Sequence, residues 1–334
     1  MTDVLKLTLF AAAISFLTCG ALLFLLLRTG LAERVLDRPN ARSLHAHPIP
    51  RVGGLAILLA VFISAASLGN FGVRFILLLP LVAVSLLDDV RGLSIAPRIA
   101  THLAVAVVAV ASFWPLLGDV PLWAWLAGSA ALVWSTNLYN FMDGSDGLAG
   151  GMTVFGFSFL ALAAMQGGYT DLAAYCLSFA AAALAFLVFN FHPARIFMGD
   201  SGAAPIGFAA AFAGIEGSVK DLWPWWYPVL VFSPFVLDAS ITLLRRLLRG
   251  ERFWQAHREH YYQRLIRLGW GHRRTALAYY ILMLVAGLTA YSARSMVMPW
   301  PPLTLLAALG LAVGLMFAVD RAWSIKQQET NKVL

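Results

Sequence analysis

The 334-residue chain is 60% hydrophobic and only 12% charged, with a mean hydropathy of +0.76, which excludes a soluble globular domain of this size. Its net charge of +7 and pI near 9.7 would suggest nucleic acid in a soluble protein, but basic loops in a membrane protein follow from the positive-inside rule, and no nucleic-acid partner is expected. The two cysteines, Cys19 and Cys176, lie in separate apolar runs, where neither a disulfide nor a thiolate metal site is expected.

Apolar runs predict spans near residues 4–27, 53–69, 72–87, 99–117, 120–140, 147–166, 172–191, 202–218, 225–244, 275–293 and 302–320. The expected fold is all-α, a polytopic bundle of about eleven transmembrane helices forming a single integral-membrane domain over residues 1–334. The N-terminus lacks the basic region of a signal peptide, so the first run reads as an uncleaved span. With the N-terminus periplasmic and the C-terminus cytoplasmic, only Lys6, Arg74, Lys220 and Arg294 of the 24 Lys and Arg fall outside. The aromatic cluster from Trp223 to Tyr227, and Trp300, then reach the outer interface, where amphipathic rings belong.

In this topology every polar constellation follows an odd-numbered span and faces the cytoplasm. Asp88 and Asp89 end the third span. Adjacent carboxylates at a helix C-terminus repel one another and oppose the helix dipole, a conflict that a divalent cation or a transferable proton resolves. After the fifth span comes Asn137-Leu-Tyr-Asn140-Phe-Met-Asp143-Gly-Ser-Asp146-Gly147. Its amides lie one turn apart, and its glycines place Asp143 and Asp146 on a tight loop suited to a metal, a ribose hydroxyl or a base edge.

The seventh span leads into Asn190-Phe-His-Pro-Ala-Arg195-Ile-Phe197-Met-Gly-Asp200, which supplies an acid, a cation, an aromatic face and a glycine for close backbone approach. His192, just before Pro193, reads as an ordinary loop residue. The basic loop after the ninth span places His257, His260 and Arg264 on one helical face that can bind a diphosphate, while its interleaved aromatics equally fit an amphipathic interfacial helix. Asp238, within the ninth span, is either functional or paired with a nearby arginine. The first inside loop, Asp37 to Gly54, reads as a phosphate-binding flap or a simple basic topology loop. No P-loop and no Rossmann fingerprint occurs. Five inner acids beside Arg and His therefore suggest a polyanionic substrate held through Mg2+, with Mn2+ as the substitute ion.

Four ordered motifs carry a family resemblance over nearly the whole chain. Leu-Leu-Asp-Asp at 86–89, N-x-x-N-x-x-D-G-x-D-G-L from Asn137, N-x-x-P-A-x-x-F-M-G-D-x-G from Asn190, and D-x-P-N-x-R-x-x-H with P-x-P-x-x-G-G from Asp37 resemble the polyprenyl-phosphate N-acetylhexosamine-1-phosphate transferases. The resemblance implies transfer of a sugar 1-phosphate from a UDP-N-acetylhexosamine to undecaprenyl phosphate in the bacterial inner membrane. UMP is released, and a lipid-linked glycan, O-antigen or another envelope polysaccharide, is initiated. It implies Asp88, Asp89 and Asp200 at the catalytic centre, with Asp200 on the metal, and Asp89 is expected to join it there. Phe197 is implied as the ring on uracil, and Asn140, Asp143, Asp146 and Asn190 as the nucleoside pocket; from the residues themselves, Asn137, Arg195, His257, His260 and Arg264 are expected as further substrate contacts. The lipid bilayer is the setting, and a homodimer is the conceivable assembly. The muramoyl-pentapeptide branch carries three consecutive histidines in the last large loop and the enterobacterial-antigen branch H-x-H-H. This chain has His257-Arg-Glu-His260, which tells against a peptidoglycan precursor and is more similar to the O-antigen initiating branch. The alternative from another class is a transporter of a nucleotide sugar or lipid-linked sugar. It predicts polar groups near the midplane rather than at the inner edge.

Overall fold

A computed structural model describes residues 2–37, 47–113, 121–252, 255, 257–296 and 300–333. Arg38, Arg42 and His45 of the first inside loop, and Phe253 and Trp254 of the basic loop, lie outside the described residues. The helices are α1 (Thr2–Arg28), α2 (Gly53–Ser67), α3 (Val73–Arg91), α4 (Ile95–Ala111), α5 (Leu122–Met142), α6 (Leu148–Gln166), α7 (Thr170–Asn190), α8 (Asp200–Val219), α9 (Trp226–Val231), α10 (Ser233–Leu248), α11 (Tyr261–Leu265), α12 (Gly271–Ala293) and α13 (Trp300–Val333). Two short strands, β1 (Leu36–Asp37) and β2 (Ile49–Pro50), pair antiparallel.

Six of the described helices are long and apolar enough to cross a membrane: α1, α6, α7, α8, α13 and the run through α11 and α12. With leucine and phenylalanine exposed along α1 and α13, this makes the chain a helical membrane protein. The most apolar windows of α6, α7 and α8 are mostly buried, whereas that of α13 is not buried at all. α7 packs along α1 and α6, while α8 lies between α3 and α5.

Two elements differ from the hydropathy reading. The expected span 225–244 is broken at Phe232 into α9 and α10. Pro234 has no N–H to return to the carbonyl of Leu230, so the hydrogen-bond ladder cannot run through. The last helix is also longer than the run 302–320, because its 34 residues continue through a charged segment that hydropathy discards.

One end of the bundle is assembled by backbone contacts between distant motifs. The N–H groups of Gly53 and Gly54, in the first turn of α2, donate to the carbonyls of Phe197 and Met198 at 2.9 Å each. This crossing demands glycine, since a Cβ on Gly54 would lie 2.2 Å from the Gly202 Cα. Gly199 has φ +78°, and a Cβ there would meet the Arg51 carbonyl oxygen at 2.5 Å.

Candidate active site

α3 ends in the left-handed Gly92, whose N–H donates to the Asp88 carbonyl at 2.8 Å. That stop points the two aspartates in different directions. The Asp88 Oδ1 accepts the Leu93 N–H at 2.7 Å, and its Oδ2 lies 2.6 Å from Arg98 Nη1, in the first turn of α4. Asp89 turns to the start of α8, where its carboxylate accepts the N–H of Ser201 at 2.9 Å and of Asp200 at 3.4 Å. A carboxylate there satisfies free amides and the positive end of the helix dipole. Arg51 completes this corner, donating to the Asp89 carbonyl and placing Nη1 3.6 Å from its Oδ1.

Asp200 opens α8. Its Oδ2 lies 3.6 Å from Arg98 Nη2, so one guanidinium faces carboxylates from α3 and α8, and the Asn140 side chain also hydrogen-bonds to Asp200. Asp143, on the loop after α5, accepts a hydrogen bond from the Gly199 backbone. Its enclosure, and the nearby Asp200 and Asp89 carboxylates, push its carboxyl well above the usual carboxylate range. Among the described residues, no three His, Cys, Asp or Glu side chains are arranged to hold a metal ion. The acids instead meet arginine.

Beside this floor, two loops are stitched together. Asn190 Oδ1 accepts the Gly147 N–H, and its amide donates to the Ile196 carbonyl, both at 2.9 Å. Asp146 Oδ2 accepts His192 Nδ1 at 2.6 Å and the Ala194 N–H at 3.1 Å. His272, at the start of α12, stacks on His192 with centroids 5.5 Å apart and faces Asp146 Oδ1 at 3.7 Å. The Phe197 N–H donates to the Pro50 carbonyl at 2.7 Å, linking this segment to β2.

Three residues expected as substrate contacts point elsewhere. Asn137 donates to its own helix at Val133 and faces His102 of α4 at 3.4 Å. Arg195 lies over the Phe189 ring at 5.1 Å and borders a cavity of about 380 Å3, together with Leu27, Glu33, Pro48 and Pro50. Arg264 is buried, with Nη1 2.8 Å from Asp320 and Nη2 3.7 Å from Glu259. The single cationic face expected from His257, His260 and Arg264 is thus not what the structure contains. Arg264 is neutralised internally, and burial, helped by His260 and Arg246, lowers the His257 imidazole to about 4.

His260 nonetheless reaches the end of α5, its ring 6.2 Å from that of Phe141. Asp238 sets that position. Its carboxylate accepts the N–H of Tyr261 and Tyr262, at 2.8 and 3.0 Å, and the Tyr279 hydroxyl at 2.6 Å, with His260 Nδ1 3.3 Å away. It pairs with no arginine among these contacts but anchors the whole turn. Sequence reasoning missed Arg98, His192 and His272 as members of this end. Arg98 carried a faint signal, since a cation in a helix's first turn opposes the dipole and needs an acid nearby.

Comparison with known proteins gives a consistent result. Residues 71–218 match the model of glycosyl transferase family 4. A decaprenyl-phosphate N-acetylglucosaminephosphotransferase of Mycobacterium tuberculosis is 31% identical, covering 91% of this chain and 85% of that protein. A probable undecaprenyl-phosphate N-acetylglucosaminyl 1-phosphate transferase of Bacillus subtilis is 28% identical over 82% of this chain and 83% of its own length. An undecaprenyl-phosphate alpha-N-acetylglucosaminyl 1-phosphate transferase of Escherichia coli O157:H7 is 27% identical, covering 91% and 89%.

Proposed function

Since the chain belongs to glycosyl transferase family 4 and its polyprenyl-phosphate N-acetylglucosamine-1-phosphate transferases, we propose that it transfers an N-acetylhexosamine 1-phosphate to a polyprenyl phosphate. The donor in this reading is a UDP-sugar, the acceptor undecaprenyl phosphate, and the site the cytoplasmic face of the inner membrane, with eleven spans and a periplasmic N-terminus. The observation that carries it is the sharing of Arg98 by Asp88 and Asp200, at the end where the polar segments gather.

Asp88 and Asp200 offer hard oxygens from two helices that already converge on one cation. This suits Mg2+, which takes one or two carboxylates and completes its shell with phosphate and water. These two residues would hold it, while Asp89 is engaged by the amides of α8 and serves as a peg for that helix. Bound there, the ion would neutralise diphosphate charge.

The chain's own residues position the reactants. A phosphate oxygen of the lipid forms a bond to the sugar-bearing phosphorus, the bond from that phosphorus to the UMP oxygen breaks, and UMP departs. Such transfers depend mainly on alignment and charge neutralisation. Asn140 holds Asp200, Arg51 braces Asp89, and the stitched loops around Asn190 and Asp146 wall the nucleotide side.

The test is to incubate purified protein with undecaprenyl phosphate, Mg2+ and a panel of UDP-N-acetylhexosamines, UDP-N-acetylglucosamine first. UMP and a lipid-linked sugar diphosphate are expected. Absence of any lipid product across the panel would overturn the reading.

A further inference from the structure

The acidic end holds more charge than it balances. Asp88, Asp89, Asp143 and Asp200 face two arginines, and Arg51 is committed to Asp89. Arg98 therefore faces Asp88 and Asp200, at 2.6 and 3.6 Å. It stands in the first turn of α4, where the helix dipole disfavours a cation, so the acids are what hold it there. No cage of three ligands is formed among the described residues. The side chain is 27% exposed. Its two arms are unequal, and the longer one, to Asp200, is the weaker.

We propose that Arg98 is the resident counter-ion of the Asp88–Asp200 pair, and that it competes with a divalent cation for these carboxylates. A guanidinium and a metal at about 2.1 Å cannot share the same oxygens. Arg98 would give up these carboxylates to a bound divalent cation, beginning with the loose Asp200 arm, and would remain beside the incoming phosphates. The site is thereby kept assembled before the metal binds, at the expense of metal affinity. This proposal rests on the reading that the site takes a divalent cation.

The experiment measures Mn2+ binding by electron paramagnetic resonance on purified full-length protein in detergent without substrates, for the native chain, Arg98→Gln and Arg98→Lys. Thermal unfolding in EDTA and in Mn2+ accompanies it. Arg98→Gln is expected to bind Mn2+ roughly tenfold tighter, the scale of one charge-assisted contact. It should unfold earlier than the native chain in EDTA, with Mn2+ closing the gap. Arg98→Lys, which keeps the charge but not the fork, should fall between them and serves if the Gln variant does not fold. Equal or weaker Mn2+ binding in the variants beside normal binding in the native chain overturns the counter-ion role and leaves the metal reading standing. No Mn2+ binding in any of the three overturns both.

Discussion

Helix α8 carries an ion cluster at each end, and the two are built on opposite plans. Near its C-terminus the buried Glu216 receives Arg74 Nε at 2.6 Å and Nη2 at 2.5 Å, with Lys220 Nζ at 2.6 Å. Arg74 also lies over the Tyr175 ring at 5.4 Å. Both carboxylate oxygens are filled, and one anion meets two cations. At the N-terminus, four carboxylates meet two arginines, and Asp143 is pushed toward its neutral form by its enclosure and then by its neighbours. The cluster that ties helices together at the C-terminal end leaves neither carboxylate oxygen without a cation. The cluster at the N-terminal end has more carboxylates than arginines to meet them.

The contrast can be broken or sharpened by substitution, beginning with the largest expected effect. Asp200→Asn should lower UMP release roughly 100- to 1,000-fold, the scale of losing one charge-stabilising group. The metal-free melting temperature should stay unchanged or rise. Near-native turnover would place the chemistry elsewhere. At the other end, Glu216→Gln should cost about 3 kcal/mol of stability, because it leaves Arg74 and Lys220 facing each other without their anion. Turnover per folded molecule should be unchanged, and a variant of native melting temperature but no turnover would erase the distinction between the ends.

A smaller effect belongs to His257. Its lowered pKa, about 4, means the folded protein keeps it neutral where a free imidazole near 6.5 takes a proton. The unfolded loop then binds more protons, so loop stability falls as pH drops from about 6.5 toward 4 and is insensitive above that window. Limited proteolysis should show a loosening of roughly 1 kcal/mol between pH 7.5 and 5. His257→Gln should flatten it. The smallest change is expected for Asp143→Asn, which removes the cost of enclosing an ionisable carboxyl beside two others and should raise stability in EDTA at neutral pH by under about 1 kcal/mol. A fall in melting temperature would mean that the carboxylate is a structural anchor like Asp89.

Much of this arrangement was legible in the sequence because desolvation is unforgiving. Acids beside apolar runs must lie at the ends of helices, so the alternation of polar and bare span ends revealed which segments meet before any helix was placed. Hydrophobicity did not reveal the break at Phe232, which turns on a missing N–H, nor the full length of α13, whose last turns are charged. At the site, residue type identified the acids but not their partners. Asp88 and Asp89 are adjacent in sequence and alike in chemistry, yet one faces a guanidinium and the other caps a helix. Only the positive φ of Gly92 and the arrival of α8 from 111 residues later separate them. His192 looked incidental for the same reason, since its partner Asp146 lies 46 residues earlier.

The long α13 has a further consequence. From Trp300 to Asp320 the helix rises about 30 Å, the thickness of a bilayer's hydrocarbon core. Asp320 is bound there by Arg245 and Arg264 at 2.7 and 2.8 Å, and by the Tyr261 hydroxyl at 3.1 Å. A lipid-facing ruler is thus riveted to the turn that carries His260, so a thinner bilayer that tilts α13 pulls directly on that turn. The tie between this helix and that turn rests on one aspartate.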